Sequence, residues 1–529
     1  MTQTRTFARA AVAAPHHLAS EAGRAVLEEG GNAIEAMVAM AATVAVVYPH
    51  ANGIGGDGFW LVRTPDSRVH YVEACGPAGA LATIARYKAL ECERIPARGP
   101  NAALTVPGAI GGWQLALEIA RAFKGRLPLD VLLHDAVRHA RDGFAQSGSA
   151  ARCEPHEWAA LRAAPGFAAH FLVEGKTPEQ GALRKATALA DTLAHLSHAG
   201  LADFYRGDVA RELAADLERI GSPVARADLA NYEARTRPPL TLRLQGRTLY
   251  NSPPPTQGLA SLLLLGIFEQ LDVKGLDTFA HVHALVEASK RAFAIRDRVC
   301  TDFAHLEHKP EDFLAPAALA REAGAINMAR AAPFPLPPGT GDTVWMGAID
   351  AAGIAVSYIQ SIFWEYGSGC VLPRTGVLMQ NRGSSFSLDP AAANPLAPGR
   401  RPFHTLNPAL AIYDDGTLLP YGSMGGDGQP QFQAQVFSRI ERGMDLAAAI
   451  DAPRFLLGRT WGAESAALKL ENRFDPALVR ALERAGHALE LSPHAYSEAF
   501  GHAGALRRTP RGEIEAAHDR RADGGAAGM

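Results

Sequence analysis

Cysteine is scarce in this chain of 529 residues: Cys75, Cys92, Cys153, Cys300 and Cys370 are five, an odd number, and no two form a CxxC pair. A disulfide framework and a zinc ribbon are therefore excluded as organising devices. Net charge is nearly absent too, −3 from 52 Lys and Arg against 55 Asp and Glu. No strongly basic face is expected, and with it no nucleic-acid or anionic-membrane partner. No apolar run is long enough to span a bilayer comfortably. The longest, residues 33–48, contains Glu35 and reads as a buried core helix. The opening MTQTRTFARAAVAAPHH lacks the continuous apolar segment of a secretory signal, so a cytoplasmic protein is expected. Nineteen histidines are present, but HExxH is not. The pairs His195/His198 and His305/His308 have no third ligand in view, so no metal and no cofactor are expected.

What is there has the composition of an ordinary globular enzyme, 47% hydrophobic and 20% charged. Length alone suggests three or four domains. A helix begins near Ser20 and stops at Gly30-Gly31-Asn32, which also caps a second helix over 33–47. Phe59–Arg63 reads as a strand. The middle, roughly 100–330, reads as mostly helical, with a 3.6-residue period in 131–141, 185–196 and 281–295. The loop Asn251–Gly258 precedes a Leu-rich helix. Residues 329–341, ARAAPFPLPPGTG, are too rich in Pro and Gly for helix or central strand and read as an exposed linker. Beyond it come strand signals at 343–350, 354–360, 409–413 and 417–421, then a helix over 429–442. The expectation is a helix-rich part, 1–342, joined to a β-rich part, 343–529.

Gly53, Gly55 and Gly58 match GxGxxG, with Glu73 at the spacing of a ribose-binding acid. A dinucleotide site needs a strand before the glycines and a helix after them. The predicted order is the reverse, which favours a tight glycine turn where backbones approach closely.

Two stretches carry chemistry. In Gly341-Asp342-Thr343 a hydroxyl residue opens a strand directly after a flexible linker. Such a linker lets the Asp342 carbonyl bend back over the Thr343 hydroxyl for self-cleavage. That would free an α-amine of pKa about 7.7–8.0, a competent base near neutral pH, on the nucleophilic residue itself. In Gly422-Ser-Met-Gly-Gly-Asp-Gly428 adjacent glycines between strand and helix suit an oxyanion hole. From the residues alone a plain strand-to-helix turn is equally open there.

The sequence resembles the γ-glutamyltransferase family of N-terminal-nucleophile hydrolases along almost its whole length. The matching stretches include LASEAGRAVLEEGGNAIEAMVA (18–39), NGIGGDGF (52–59), VPGAIGGW (106–113), PPPTQG (253–258), GSGCVLPRTGVLMQNR (367–382), RPFHTLNPALAI (401–412), GSMGGDGQP (422–430) and GHAGALRR (501–508). The resemblance implies an α/β fold, a four-layer αββα sandwich with one active site, in place of several domains. It implies a precursor cut between Asp342 and Thr343 into a large and a small subunit, with a dimer of heterodimers as the candidate assembly. It implies Thr343 as nucleophile, Gly425 and Gly426 as oxyanion donors, and Ser361 as the hydroxyl supporting the nucleophile.

The family's substrate-gripping residues are replaced. Glu73 stands where the family has an arginine, and Phe363 where it has an asparagine. Arg382 and Ser385 replace a glutamine and an aspartate, and His404 and Thr405 replace paired serines. A pocket without anchors for an amino-acid head group rejects γ-glutamyl donors, whereas Arg382 offers a fork for a carboxylate. TVWMGAID, IQSIFWEYGSG and QNRGSSFSL resemble the oxamate amidohydrolase branch. That branch is cytoplasmic and cleaves oxamate to oxalate and ammonia in purine-ring catabolism. The expected substrate is thus a small carboxylate-bearing amide. Transfer or hydrolysis of γ-glutamyl compounds is the alternative.

Overall fold

The structure is a computed structural model describing residues 3–334, 342–458 and 465–529. Gly341 and most of the Pro/Gly linker lie outside the described residues, as does the side chain of Asp342. The chain opens with β1 (Arg5–Phe7), β2 (Ala11–Ala14), α1 (His17–Glu28) and α2 (Ala33–Val47). Then come β3 (Asp57–Arg63), β4 (Val69–Ala74), α3 (Ala109–Ala122), α4 (Leu129–Asp142) and α5 (Thr187–Ala199). Strands β5 (Arg235–Arg237), β6 (Leu240–Leu244) and β7 (Arg247–Asn251) precede α6 (Gly258–Glu269) and α7 (Phe279–Val299). After the linker follow β8 (Asp342–Ile349), β9 (Ala355–Phe363), β10 (Ala409–Tyr413), β11 (Leu418–Ser423), α8 (Gln429–Glu441) and α9 (Leu446–Asp451). Strands β12 (Ala503–Arg508), β13 (Ile514–His518) and β14 (Gly525–Gly528) end the chain. Shorter elements join these.

Local chemistry explains the best-defined helix. The Asn32 side chain accepts from the Ile34 and Glu35 amides, and Glu35 accepts from the Asn32 amide, a reciprocal cap. Every residue of α2 is buried. Glu35 is tolerated there because its second oxygen accepts the Leu127 amide at 2.8 Å.

Two seven-stranded antiparallel sheets form the middle layers. One runs β1-β13-β12-β11-β10-β7-β6, the other β14-β2-β8-β9-β3-β4-β5. Trp345 and Ile349 of the second sheet meet Leu506 and Ile514 of the first, while Phe59, Leu61 and Ile359 meet Leu410. Helices α1–α5 cover the outer face of the second sheet, and α6–α9 that of the first. The order helix, sheet, sheet, helix is the αββα sandwich, so the length-based expectation of several domains is overturned: one stack buries the chain.

The linker divides the elements unevenly, with most α-helices before it, yet both sheets draw strands from both sides of it. Strands β1–β7 precede the linker and supply half of both sheets. Of these, β3 is the strand read at Phe59–Arg63; the others escape notice because they are short and sit among long helices. No helix among the described residues is long and apolar enough to cross a membrane.

Candidate active site

Strands β8 and β9 lie at the centre of their sheet, and their pairing slips at the position of interest. Asp342 faces Phe363 and Val344 faces Gln360, so two residues of β9 span the place of the single Thr343. The slip points Thr343 Oγ at Ser361 Oγ, 3.2 Å away. Ser361 also accepts the Phe363 amide at 2.8 Å. Thr343 is fully buried. The glycine turn before β3 lies directly behind: a Cβ on Gly56 would stand 2.1 Å from the Ser361 carbonyl oxygen. Its glycines serve close approach between a preceding helix and a following strand, the arrangement a dinucleotide site lacks.

From the other sheet, β11 runs into the turn holding Gly425 and Gly426 and then into α8. Both glycines have positive φ, 123° and 52°. A side chain at Gly425 would meet the Phe432 ring at 2.6 Å. Gln257 pins the turn by donating to the carbonyls of Gly426 (2.8 Å) and Thr405 (2.7 Å). Arg296 holds Gln257 in turn at 2.8 Å and pairs with Asp427 at 2.9 Å. At the start of α8, Gln429 donates to Thr343 Oγ at 3.4 Å, and its oxygen accepts from Asn407 at 3.2 Å. The turn is thereby tied to the strand that Thr343 opens.

Arg382 begins a short 3-10 turn, Arg382–Ser385, and is 1% exposed. Its guanidinium carbon lies 3.9 Å from the Phe363 ring centroid, and Nη1 donates to Thr405 Oγ1 at 3.2 Å. Nε and Nη2 are buried with no hydrogen-bond partner among the described residues. Burial pulls Arg382 down to about 9, against the opposing pull of Asp57. Asp57, at the head of β3, is fully buried and pushed up to about 7 by burial. His404 is fully buried beside it, Nε2 3.6 Å from Asp57 Oδ2, and burial holds it well below the usual imidazole range. Ser385 donates to the Phe403 carbonyl at 3.0 Å. Phe363, Trp364, Ser385, Thr405 and Asp427 line a cavity of about 750 Å³ that opens above this cluster.

Glu73 is placed otherwise. Its carboxylate receives Arg237 at 2.9 Å and stands 3.3 Å from Arg401. Each oxygen thus faces a guanidinium, an ion-pair core instead of a surface turned to a ligand. The structure brings Thr343, Ser361 and the glycine turn together, and Arg382 with Thr405 and His404. Sequence reasoning missed Asp57, Gln257, Asn407 and Gln429. One signal was available: Gln429, Gln431, Gln433 and Gln435 alternate through QPQFQAQ, and all are buried. Among the described residues His283, Glu287 and His487 have ligand-like spacing. They already satisfy one another's surroundings: His283 meets His487 at 2.8 Å and the Asn327 carbonyl at 2.9 Å, and Glu287 takes Lys290 at 2.7 Å.

Residues 19–529 match the family model described as gamma-glutamyltranspeptidase. The oxamate amidohydrolase proenzyme of Klebsiella pneumoniae is 51% identical over 517 residues, covering 97% of each chain. The glutathione hydrolase-like YwrD proenzyme of Bacillus subtilis is 37% identical, covering 98% of each. Among solved structures, cephalosporin acylase from Bacillus halodurans superposes with a TM-score of 0.89 at 31% identity, over 100% of this chain and 97% of that one.

Proposed function

The chain belongs to the gamma-glutamyltranspeptidase family, and from that premise we propose that it is a self-processing N-terminal-threonine amidohydrolase that hydrolyses oxamate to oxalate and ammonia. The observation that carries the reading is Arg382, a buried guanidinium with two unpartnered donor groups beside Thr405. The similarity to an oxamate amidohydrolase proenzyme supports it.

Thr343 Oγ first attacks the Asp342 carbonyl. The Asp342–Thr343 amide becomes an ester, and water hydrolyses it, giving fragments 1–342 and 343–529. The freed α-amine, of pKa about 7.7–8.0, then serves as base. In turnover it takes the Oγ proton while Oγ bonds to the amide carbon of oxamate. The amides of Gly425 and Gly426 hold the oxyanion, and Ser361 orients Oγ. Arg382 and Thr405 hold the neighbouring carboxylate, with Ser385 and His404 on the same wall and Glu73 fixing Arg401 behind it. The C–N bond breaks, the proton passes to nitrogen and ammonia leaves. Water, deprotonated by the amine, cleaves the oxalyl ester, and Oγ regains its proton as oxalate departs. Cytoplasmic residence, service to purine-ring catabolism and pairing of two heterodimers belong to the same proposal.

The test compares ammonia release from oxamate with p-nitroaniline release from a γ-glutamyl anilide. Oxamate is expected to show the higher kcat/KM by far. The opposite preference would replace this reading with the γ-glutamyl one.

A further inference from the structure

Beneath the cavity lies a polar group that the reaction steps leave unused. Asp57 stands opposite Ser361 in the β3–β9 ladder. Its Oδ1 accepts the amides of Gly76 at 3.1 Å and Gly108 at 3.0 Å. Oδ2 is buried facing His404, neither of whose ring nitrogens is hydrogen-bonded among the described residues, with the Gln380 side chain as its further polar neighbour. Arg382, with its own two idle donors, is the cation nearest in effect to this carboxyl.

We propose that Asp57 sets the charge of the anion site: it holds a proton while a substrate carboxylate occupies Arg382, and gives that proton up when the site is empty at alkaline pH, so that substrate anion and proton enter together. This rests on Arg382 as the carboxylate site. One buried guanidinium neutralises one anion; a second carboxylate that feels its field is favoured to take a proton, because two like charges in a poorly solvated chamber repel strongly.

The other groups around the pair are neutral or engaged: Asp427, the other carboxylate that acts on Arg382, is paired with Arg296 at 2.9 Å. Cys75, Tyr205 and Tyr232 are buried and pushed well above their ordinary ranges, so they stay neutral, and burial lifts Tyr358 as well. His404 is neutral for the opposite reason. Arg401 is engaged by Glu73. The α-amine freed on Thr343 is a further titrating group, two strands away on β8. The sign follows from burial, which lifts Asp57 to about 7. Below that pH the carboxyl is neutral and Arg382 is an uncompensated cation. Above it, Asp57 neutralises Arg382 and competes with the incoming anion.

The probe is oxalate, whose charge does not change between pH 6 and 9, as a competitive inhibitor of oxamate turnover. Its Ki is expected to be about tenfold weaker at pH 8 than at pH 6, the slope of one linked proton. In Asp57→Asn the Ki should stay level across the range. Calorimetry on the unaltered protein gives an independent readout: above pH 7, oxalate binding should take up close to one proton, read from its enthalpy in buffers of different ionisation enthalpy. A level Ki without proton uptake in the unaltered protein overturns the proposal. So does a pH dependence that survives in Asp57→Asn, which would then belong to the Thr343 amine. Oxalate that binds at no pH overturns the oxamate reading and this one with it.

Discussion

Phe363 shows what a single residue contributes to the pocket. Its φ of 83° lies in the left-handed region, where a side chain other than glycine costs on the order of 1–3 kcal/mol. The strain is held by two contacts: its amide donates to Ser361, and its ring covers Arg382. The same residue therefore links Ser361 to Arg382. Arg382 itself depends on shape as well as charge, since a guanidinium offers two parallel donors to a carboxylate and an ammonium does not. Arg382→Lys is expected to lower kcat/KM for oxamate at least tenfold, about 1.4 kcal/mol, while self-cleavage proceeds. Initial rates and a denaturing gel on the same preparation check both halves. Full oxamate activity in this variant would remove Arg382 from substrate binding.

At the scale of elements, the turn between β11 and α8 is the most constrained piece of the site. Gly425 combines a φ of 123° with the Phe432 ring at 2.6 Å from any added Cβ. Gly425→Ala must shift the turn, and with it the amides proposed to hold the oxyanion. A loss of about 10²-fold or more in kcat is expected, the scale of one lost donor. A thermal melt run alongside separates this from unfolding, and wild-type kcat in a folded variant would discharge the turn from that role. The position of this turn was legible, because glycines between a strand and a helix announce it. Helix α2 was legible for a related reason: Asn32, Glu35 and the Ala/Val run all act within a few residues of one another. Strands β5–β7 were not. Leu240, Leu242 and Leu244 do alternate with exposed Thr241 and Arg243, but five residues give a weak period among long helices. Asp57 and Gln429 were hidden more deeply. Their neighbours Gly76, Gly108, His404 and Asn407 are brought in by the fold from distant parts of the chain, and no local pattern encodes that.

In the whole molecule, the two fragments that self-cleavage would give are woven through both sheets. Strand β8 of the second fragment lies between β9 of its own fragment and β2 of the first, and β9 pairs in turn with β3. Cleavage should therefore leave one native particle. Gel filtration is expected to show a single species of 56.1 kDa or a multiple of it, while a denaturing gel shows two bands, and Thr343→Ala shows one. A small fragment eluting alone under native conditions would contradict the interleaving. The weave also gives the cut a second meaning. A break that the fold keeps in place would be a permanent mark, made on the proposed route only in molecules whose Thr343 has once reached a carbonyl. The proportion of cut chains in any preparation thus counts its competent sites, and a specific activity divided by that proportion is a true turnover number obtained without an inhibitor titration.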